Sequence, residues 1–325
     1  MKPWLDGWRQ LGWRRRRAAL LLLAALIPAC SYLRPTPAAA LANPALNELS
    51  GLTRSLVTDE WLWGHNDSGD SARLFRVGLD GSDGGVVEVP GALAIDWEDI
   101  APFRWQGEPA LLIGDIGDNR AQRAAITLYA VRDPGATGDA ATLLWQLNLR
   151  YPDGPRDAEG LAVDPLNGDI LILSKRERPP VIYRLAMPRA PPVPGSVLTA
   201  EKLGPVLHLP APTAADLADD PKYGMLRDWP TALDIAPDGL SAIVTTYKDA
   251  YRYWRAADED WARALARPPQ RIRLPQWRQT EAGGFTADGQ RFCAGSEQRA
   301  GFACVLLPPR AEAGVHPAPP SSRKP

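Results

Sequence analysis

The sequence predicts an all-β chain folded as a single β-propeller of five blades, and three observations carry that expectation. A short pattern recurs five times, as Glu48-Leu49-Ser50-Gly51-Leu52, Asp96-Trp97-Glu98-Asp99-Ile100, Asp157-Ala158-Glu159-Gly160-Leu161, Thr231-Ala232-Leu233-Asp234-Ile235 and Glu281-Ala282-Gly283-Gly284-Phe285. Its spacings, about 50, 60, 75 and 50 residues, approximate one four-stranded blade. Between copies lie short apolar runs broken by turns, as in GLAVDP-LNG-DILILSK, IAPDGLSAIVTTY and FTADGQRFCAGSE. Such turns join antiparallel neighbours, and no long run carries a helical period.

In chain order, Arg14-Arg15-Arg16-Arg17, the apolar run AALLLLAALI (18–27) and Pro28-Ala29-Cys30 read as a signal peptide over 1–30. The run is too short for the ~20 residues that span a bilayer. Its end reads as a lipobox with Cys30 as the lipidated residue, although Pro28 is atypical there; simple cleavage is the alternative. Both readings place the mature chain outside the cytoplasm: on the periplasmic side of the outer membrane as a lipoprotein, or soluble in the periplasm. Residues 31–45, rich in Pro and Ala, read as a tether, residues 46–309 as the propeller, and 310–325 as a disordered polar tail.

The last copy shows strands only as far as FACVLLPP (302–309), so one strand is missing. The segment before Glu48 can supply it, which closes the ring by joining the chain ends. A sixth blade would have to sit between the third and fourth copies, where TAADLADDPKYGMLRDW (213–229) reads instead as a helical insertion. ADEDWARALA (257–266) reads as a short exposed helix. Cys293 and Cys304 flank a hairpin, and in an oxidising compartment a disulfide is the natural pairing. Closing that loop of about 12 residues contributes roughly 3 kcal/mol in the chain-entropy picture. Free buried thiols are the alternative.

Lys plus Arg (37) nearly cancels Asp plus Glu (38), so no global field favours nucleic acid or an anionic membrane surface. The chemistry is local. In an antiparallel meander the start of strand one and the end of strand two share a rim. Starts bring Glu48, Glu98, Asp99, Asp157, Glu159 and Glu281 to that rim, and ends bring HNDSGD (65–70), GDIGDN (114–119), SKRE (174–177), TYKD (246–249) and SE (296–297). Innermost strands converge on the axis, so crowded carboxylates there call for a cation. Oxygen donors without sulfur or imidazole select a hard ion, Ca²⁺ before Mg²⁺. The three histidines leave a zinc site and a Ser/His/Asp relay poorly supported. Asp67 and Asp118 are candidate general bases. Lys175 and Arg176, with Asn66, Asp70, Asn119 and Tyr247, are candidate contacts to an anionic substrate. Each has a plainer reading: the Asn/Asp/Gly loops as turns, the cations as a solvated tip, Tyr247 as packing.

HNDSGD, DWEDI (96–100), GDIGDN, DAEGLAVDP (157–165) and SKRE together resemble a family of exported bacterial propellers, similar to the SdiA-regulated and esterase-like-phytase groups, over residues 46–305. The resemblance implies no fixed reaction. Likeness to five-bladed calcium-dependent nucleotidases implies a central Ca²⁺ held by Glu48, Glu98, Glu159 and Glu281, with Ala232 breaking the pattern in the fourth copy. Two functions follow as expectations: a calcium-dependent hydrolase of phosphoester or ester bonds, or a non-enzymatic envelope lipoprotein binding a ligand or protein partner. The expected ligand is a small anionic molecule or envelope component. The chain is expected to be a monomer that meets the membrane through its lipid alone. Quinone-dependent sugar oxidation lacks the histidine base such sites carry by resemblance.

Overall fold

A computed structural model describes residues 39–297 and 301–310 as five antiparallel sheets arranged as propeller blades. The leader with Cys30, most of the tether and the tail beyond Arg310 lie outside the described residues. Blade one holds β2 (Leu49–Arg54), β3 (Trp61–Asn66), β4 (Arg73–Gly78) and β5 (Asp83–Glu88). Blade two holds β6 (Trp97–Trp105), β7 (Glu108–Asp115), β8 (Ile126–Arg132) and β9 (Leu143–Arg150). Blade three holds β10 (Ala158–Val163), β11 (Asp169–Ser174), β12 (Val181–Ala186) and β14 (Glu201–Pro205). The preceding short strand β13 (Val197–Thr199) instead lies parallel to β9 as a fifth strand of blade two. Blade four holds β15 (Pro230–Ile235), β16 (Ser241–Thr246), β17 (Ala250–Trp254) and β18 (Gln270–Ile272).

Blade five closes the ring. Its strands β19 (Thr280–Phe285), β20 (Arg291–Ser296) and β21 (Gly301–Leu306) take their fourth partner from the other end of the chain, β1 (Ala39–Ala40), which pairs with β21. The tether therefore ends earlier than its composition indicates: Leu41 and Leu46 are buried against blades five and one. A Pro/Ala-rich segment is read as unstructured until a sheet edge offers it hydrogen bonds. Cys293 and Cys304 face each other across β20 and β21 and are joined by a disulfide beside this closure.

The apolar runs are continuous because blades are buried on both faces. The buried residues form five clusters, each drawing on two neighbouring blades. The first strands β2, β6, β10, β15 and β19 lie innermost and touch in sequence around the axis. Two short helices interrupt the meander among the described residues. In α1 (Ala214–Asp219) Thr213 and Asp216 form a capping box. In α2 (Trp261–Leu265), expected to be exposed, Trp261, Ala264 and Leu265 are buried. Its apolar face packs into the gap between blades three and four, and Trp261 Nε1 donates to Asp164 at 3.0 Å.

Candidate functional site

Each innermost strand carries a β-bulge near its start. The register steps between Leu49 and Gly51, Trp97 and Asp99, Ala158 and Gly160, Pro230 and Ala232, and Thr280 and Ala282. Ser50, Glu98, Glu159, Thr231 and Glu281 are therefore equivalent, each an extra residue without a ladder partner, a device that re-aims a side chain. A second equivalence follows from hydrogen bonds of 2.9 to 3.3 Å that close each strand pair: the N–H groups of Asp67, Gly117, Lys175, Tyr247 and Glu297 donate to the carbonyls of Glu48, Asp96, Asp157, Trp229 and Gln279.

These equivalences correct the sequence repeat. Its fourth and fifth copies start two residues late, so Thr231, not Ala232, stands where glutamate stands in blades two, three and five. Glu48 is equivalent to Asp96 and Asp157 rather than to Glu98, and its side chain is exposed. Neither Glu48 nor Glu281 belongs to a group of converging carboxylates among the described residues, unlike Glu98 and Glu159. Both hydroxyls at the bulges bind the next blade: Ser50 Oγ donates to Glu98 O at 2.8 Å, and Thr231 Oγ1 to Thr280 O at 2.9 Å.

The convergence on the axis is acidic. Asp67, Asp96 and Glu98 bring one oxygen each within 4.8 Å of one another, and Glu98, Asp157 and Glu159 do the same. Gly117 makes room for them, since a Cβ there would overlap the Glu98 and Asp96 carboxyls. Into this cluster reaches Lys175, buried, paired with Glu159 and 5.1 Å from the Tyr247 ring centroid. Burial works against the lysine's charge, but Glu159 and Glu281 hold its pKa well above the ordinary value.

Burial likewise pushes Asp96 up to about 6. It pushes Glu159 up to about 7 against the opposing pull of Lys175. Glu98 is raised well above the carboxylate range by burial and then by the charge of Glu159, and Glu281 by burial against the pull of Lys175. The buried side of this rim thus combines groups that share protons near neutral pH with one fixed cation.

The remaining candidates fall apart by their bonds. Asp67 stays in the cluster, its pKa raised by burial. Asp118 does not serve as an open base, because its oxygens accept from Gln122 N at 2.9 Å and Arg123 N at 2.7 Å and so fold the loop. Asn66 is fully engaged, accepting from Glu48 N and donating to Ala45 O and Asp70. Asp70 is bonded to Arg73 and to Ser71 N. Arg176 pairs with Asp157 at 2.6 Å, bonds Asn119, and lies 4.9 Å from the Trp229 ring. Lys175, expected to receive a substrate anion, instead neutralises the protein's own carboxylates. That outcome follows from burial, which sequence does not report.

The sequence places Gly117, Asp157 and Glu297 on the rim without a role, and Asp96 stands out there only as part of the repeat. Deeper along the axis, Asp99 ties three blades: it accepts from Leu161 N at 2.8 Å and Leu233 N at 3.0 Å. Asp234, in the fourth copy, accepts from Phe285 N at 2.8 Å and pairs with Arg54. The only sequence signal for Asp99 is an acid at the position after the bulge, where the other copies carry Gly or Ala.

No family model and no curated protein matches the chain. Among solved structures it is similar to the β-propeller domain of Cps50 (Swd1) from Myceliophteria thermophila, with 10% identity, 86% of this chain and 72% of that chain covered, and a TM-score of 0.42. The assignment of the fold stands on the five sheets themselves.

Proposed function

We propose that this propeller is an exported, lipid-anchored monomer whose axial cluster binds a divalent cation, calcium first, and hydrolyses a phosphoester or ester bond in a small anionic molecule. The observation that supports it is the sharing of Glu98 by two sets of three converging carboxylates, Asp67–Asp96–Glu98 and Glu98–Asp157–Glu159. An all-oxygen donor set of this kind suits a hard ion. The fit favours the Asp67–Asp96–Glu98 side, because Lys175 already occupies Glu159. A cation there supplies positive charge to the reacting ester and makes water more acidic. Lys175, packed on the Tyr247 ring, neutralises Glu159 beside that set.

A second reading, a non-enzymatic envelope protein whose rim binds a ligand or partner, draws support from the internal engagement of Asp118, Lys175 and Arg176, which leaves few free groups for catalysis. Calcium titration of the thermal melt tests the metal. The melting temperature should rise with Ca²⁺ and fall back with chelator in wild type, and Glu98→Gln should not respond. An unresponsive wild type removes the metal. Background turnover of phosphoesters and aryl esters by a wild type that does respond to Ca²⁺ leaves the binding reading. Lipid labelling of the mature chain, lost in Cys30→Ser, tests the anchor.

A further inference from the structure

At the opposite end of the ring, where the innermost strands end, lies a cavity of about 420 Å³. Its wall is apolar and polar in about equal parts, the apolar share coming from Leu56, Pro102, Phe103, Val163, Met187 and Pro237 among others. One side is built up because β6 has 9 residues where β2, β10, β15 and β19 have 6, so Pro102–Arg104 extend past the rim. Another is held in place by Asp133, which accepts from Ser55 Oγ and Leu56 N, both at 2.8 Å.

At this cavity sits a buried cation. The Arg54 side chain is 6% exposed and lines the space. Only its Nη1 is engaged, by Ile235 O at 3.2 Å and Asp234 at 3.5 Å, so Nε and Nη2 have no protein acceptor among the described residues. The other charges at this end are differently placed. Asp164 is tied to Arg255 at 2.7 Å and to Trp261, whereas Asp59 and Arg104 are exposed at the mouth.

We propose that this cavity is a second ligand site, which takes a monocarboxylate with a compact apolar body, its carboxylate on the guanidinium edge of Arg54 and its body against Phe103, Val163 and Met187. A cavity of this size that sets apolar side chains beside an oriented guanidinium has the make-up of a small-molecule site. A planar guanidinium edge matches a carboxylate in a two-point geometry. Asp234 already offsets part of the arginine's charge, which disfavours a phosphate dianion more than a monocarboxylate.

Calorimetric titration of the full chain with benzoate and hexanoate tests this, with inorganic phosphate and benzylamine as controls. Either carboxylate should bind while both controls fail. Arg54→Met should weaken binding by about tenfold or more, the scale of one charge-assisted hydrogen-bonded contact. That variant leaves Asp234 without its partner, so Leu56→Glu, which adds a negative charge at the wall and keeps Arg54, is the second probe and should weaken binding similarly. Glu98→Gln, at the far end of the axis, should bind benzoate as wild type does. The assignment is overturned if folded wild type binds neither carboxylate, if benzylamine binds equally or phosphate displaces benzoate, if Leu56→Glu binds unchanged, or if Glu98→Gln loses binding.

Discussion

The bulge position does opposite work in two groups of blades. In blades two, three and five it carries Glu98, Glu159 and Glu281, whose burial raises the pKa of each, with the charge of Glu159 adding to the rise of the other two. In blades one and four it carries Ser50 and Thr231, whose hydroxyls fasten the neighbouring blade through a backbone carbonyl. The backbone device is the same in all five. A short hydroxyl reaches the next strand, and a longer glutamate reaches past it to the axis. The difference separates closing the ring, which needs only hydrogen bonds, from building a charged centre, which needs a compensating cation.

Lys175→Met gives the largest effect expected from this contrast. Removing one partner of a buried ion pair costs about 3–5 kcal/mol, read as a drop in urea-unfolding free energy at pH 7.5. The pH dependence has a definite sign. Glu159 titrates near its ordinary 4.5 when unfolded and at about 7 when folded. The folded state therefore holds more protons in that window, and stability falls as pH rises through it. The deficit of Lys175→Met should accordingly narrow at pH 5, where the carboxyls protonate. An equal deficit at both pH values would mean that Lys175 does not balance them.

Thr231→Val and Ser50→Ala should each cost about 1 kcal/mol, the loss of one neutral hydrogen bond, and should leave any calcium response of the melting temperature unchanged. Loss of that response in Thr231→Val would move the hydroxyl blades into the charged centre and erase the contrast. Glu48→Gln should be the smallest change, within about 0.5 kcal/mol of wild type as for other exposed sites, with its calcium response intact. Failure of that variant to respond would return Glu48 to the ligand set.

Much of the fold was legible because a propeller repeats one supersecondary unit, and repeated turn chemistry survives in sequence as IAPDG, FTADG and DPLNG. The Cys293–Cys304 pairing was legible because hairpin partners are close in sequence. The site was legible only in outline. Glu98, Glu159, Glu281 and Asp67 were found by residue type and position, but Glu48 was grouped with them and Thr231 was not. Motifs were aligned by their first acid, whereas the bulge sets the equivalence, and a shift of one residue in a strand changes the face on which a side chain lies. Asp118 and Asn66 illustrate the other gap: the same residue types serve as turn acceptors and as catalytic groups, and only the bonds they make distinguish the two.

By itself the sequence determined the architecture, five blades of alternating short strands and turns, and the acidity of one rim, because both arise from local composition and from a period along the chain. The tertiary structure alone decided which acids meet, that Ala39–Ala40 completes the last blade, that Lys175 is the counter-charge, and that Arg54 lines a cavity at the other end. Those facts depend on strands far apart in the chain converging on one axis, and on burial, which sets both the charge a side chain carries and the groups left free to bind.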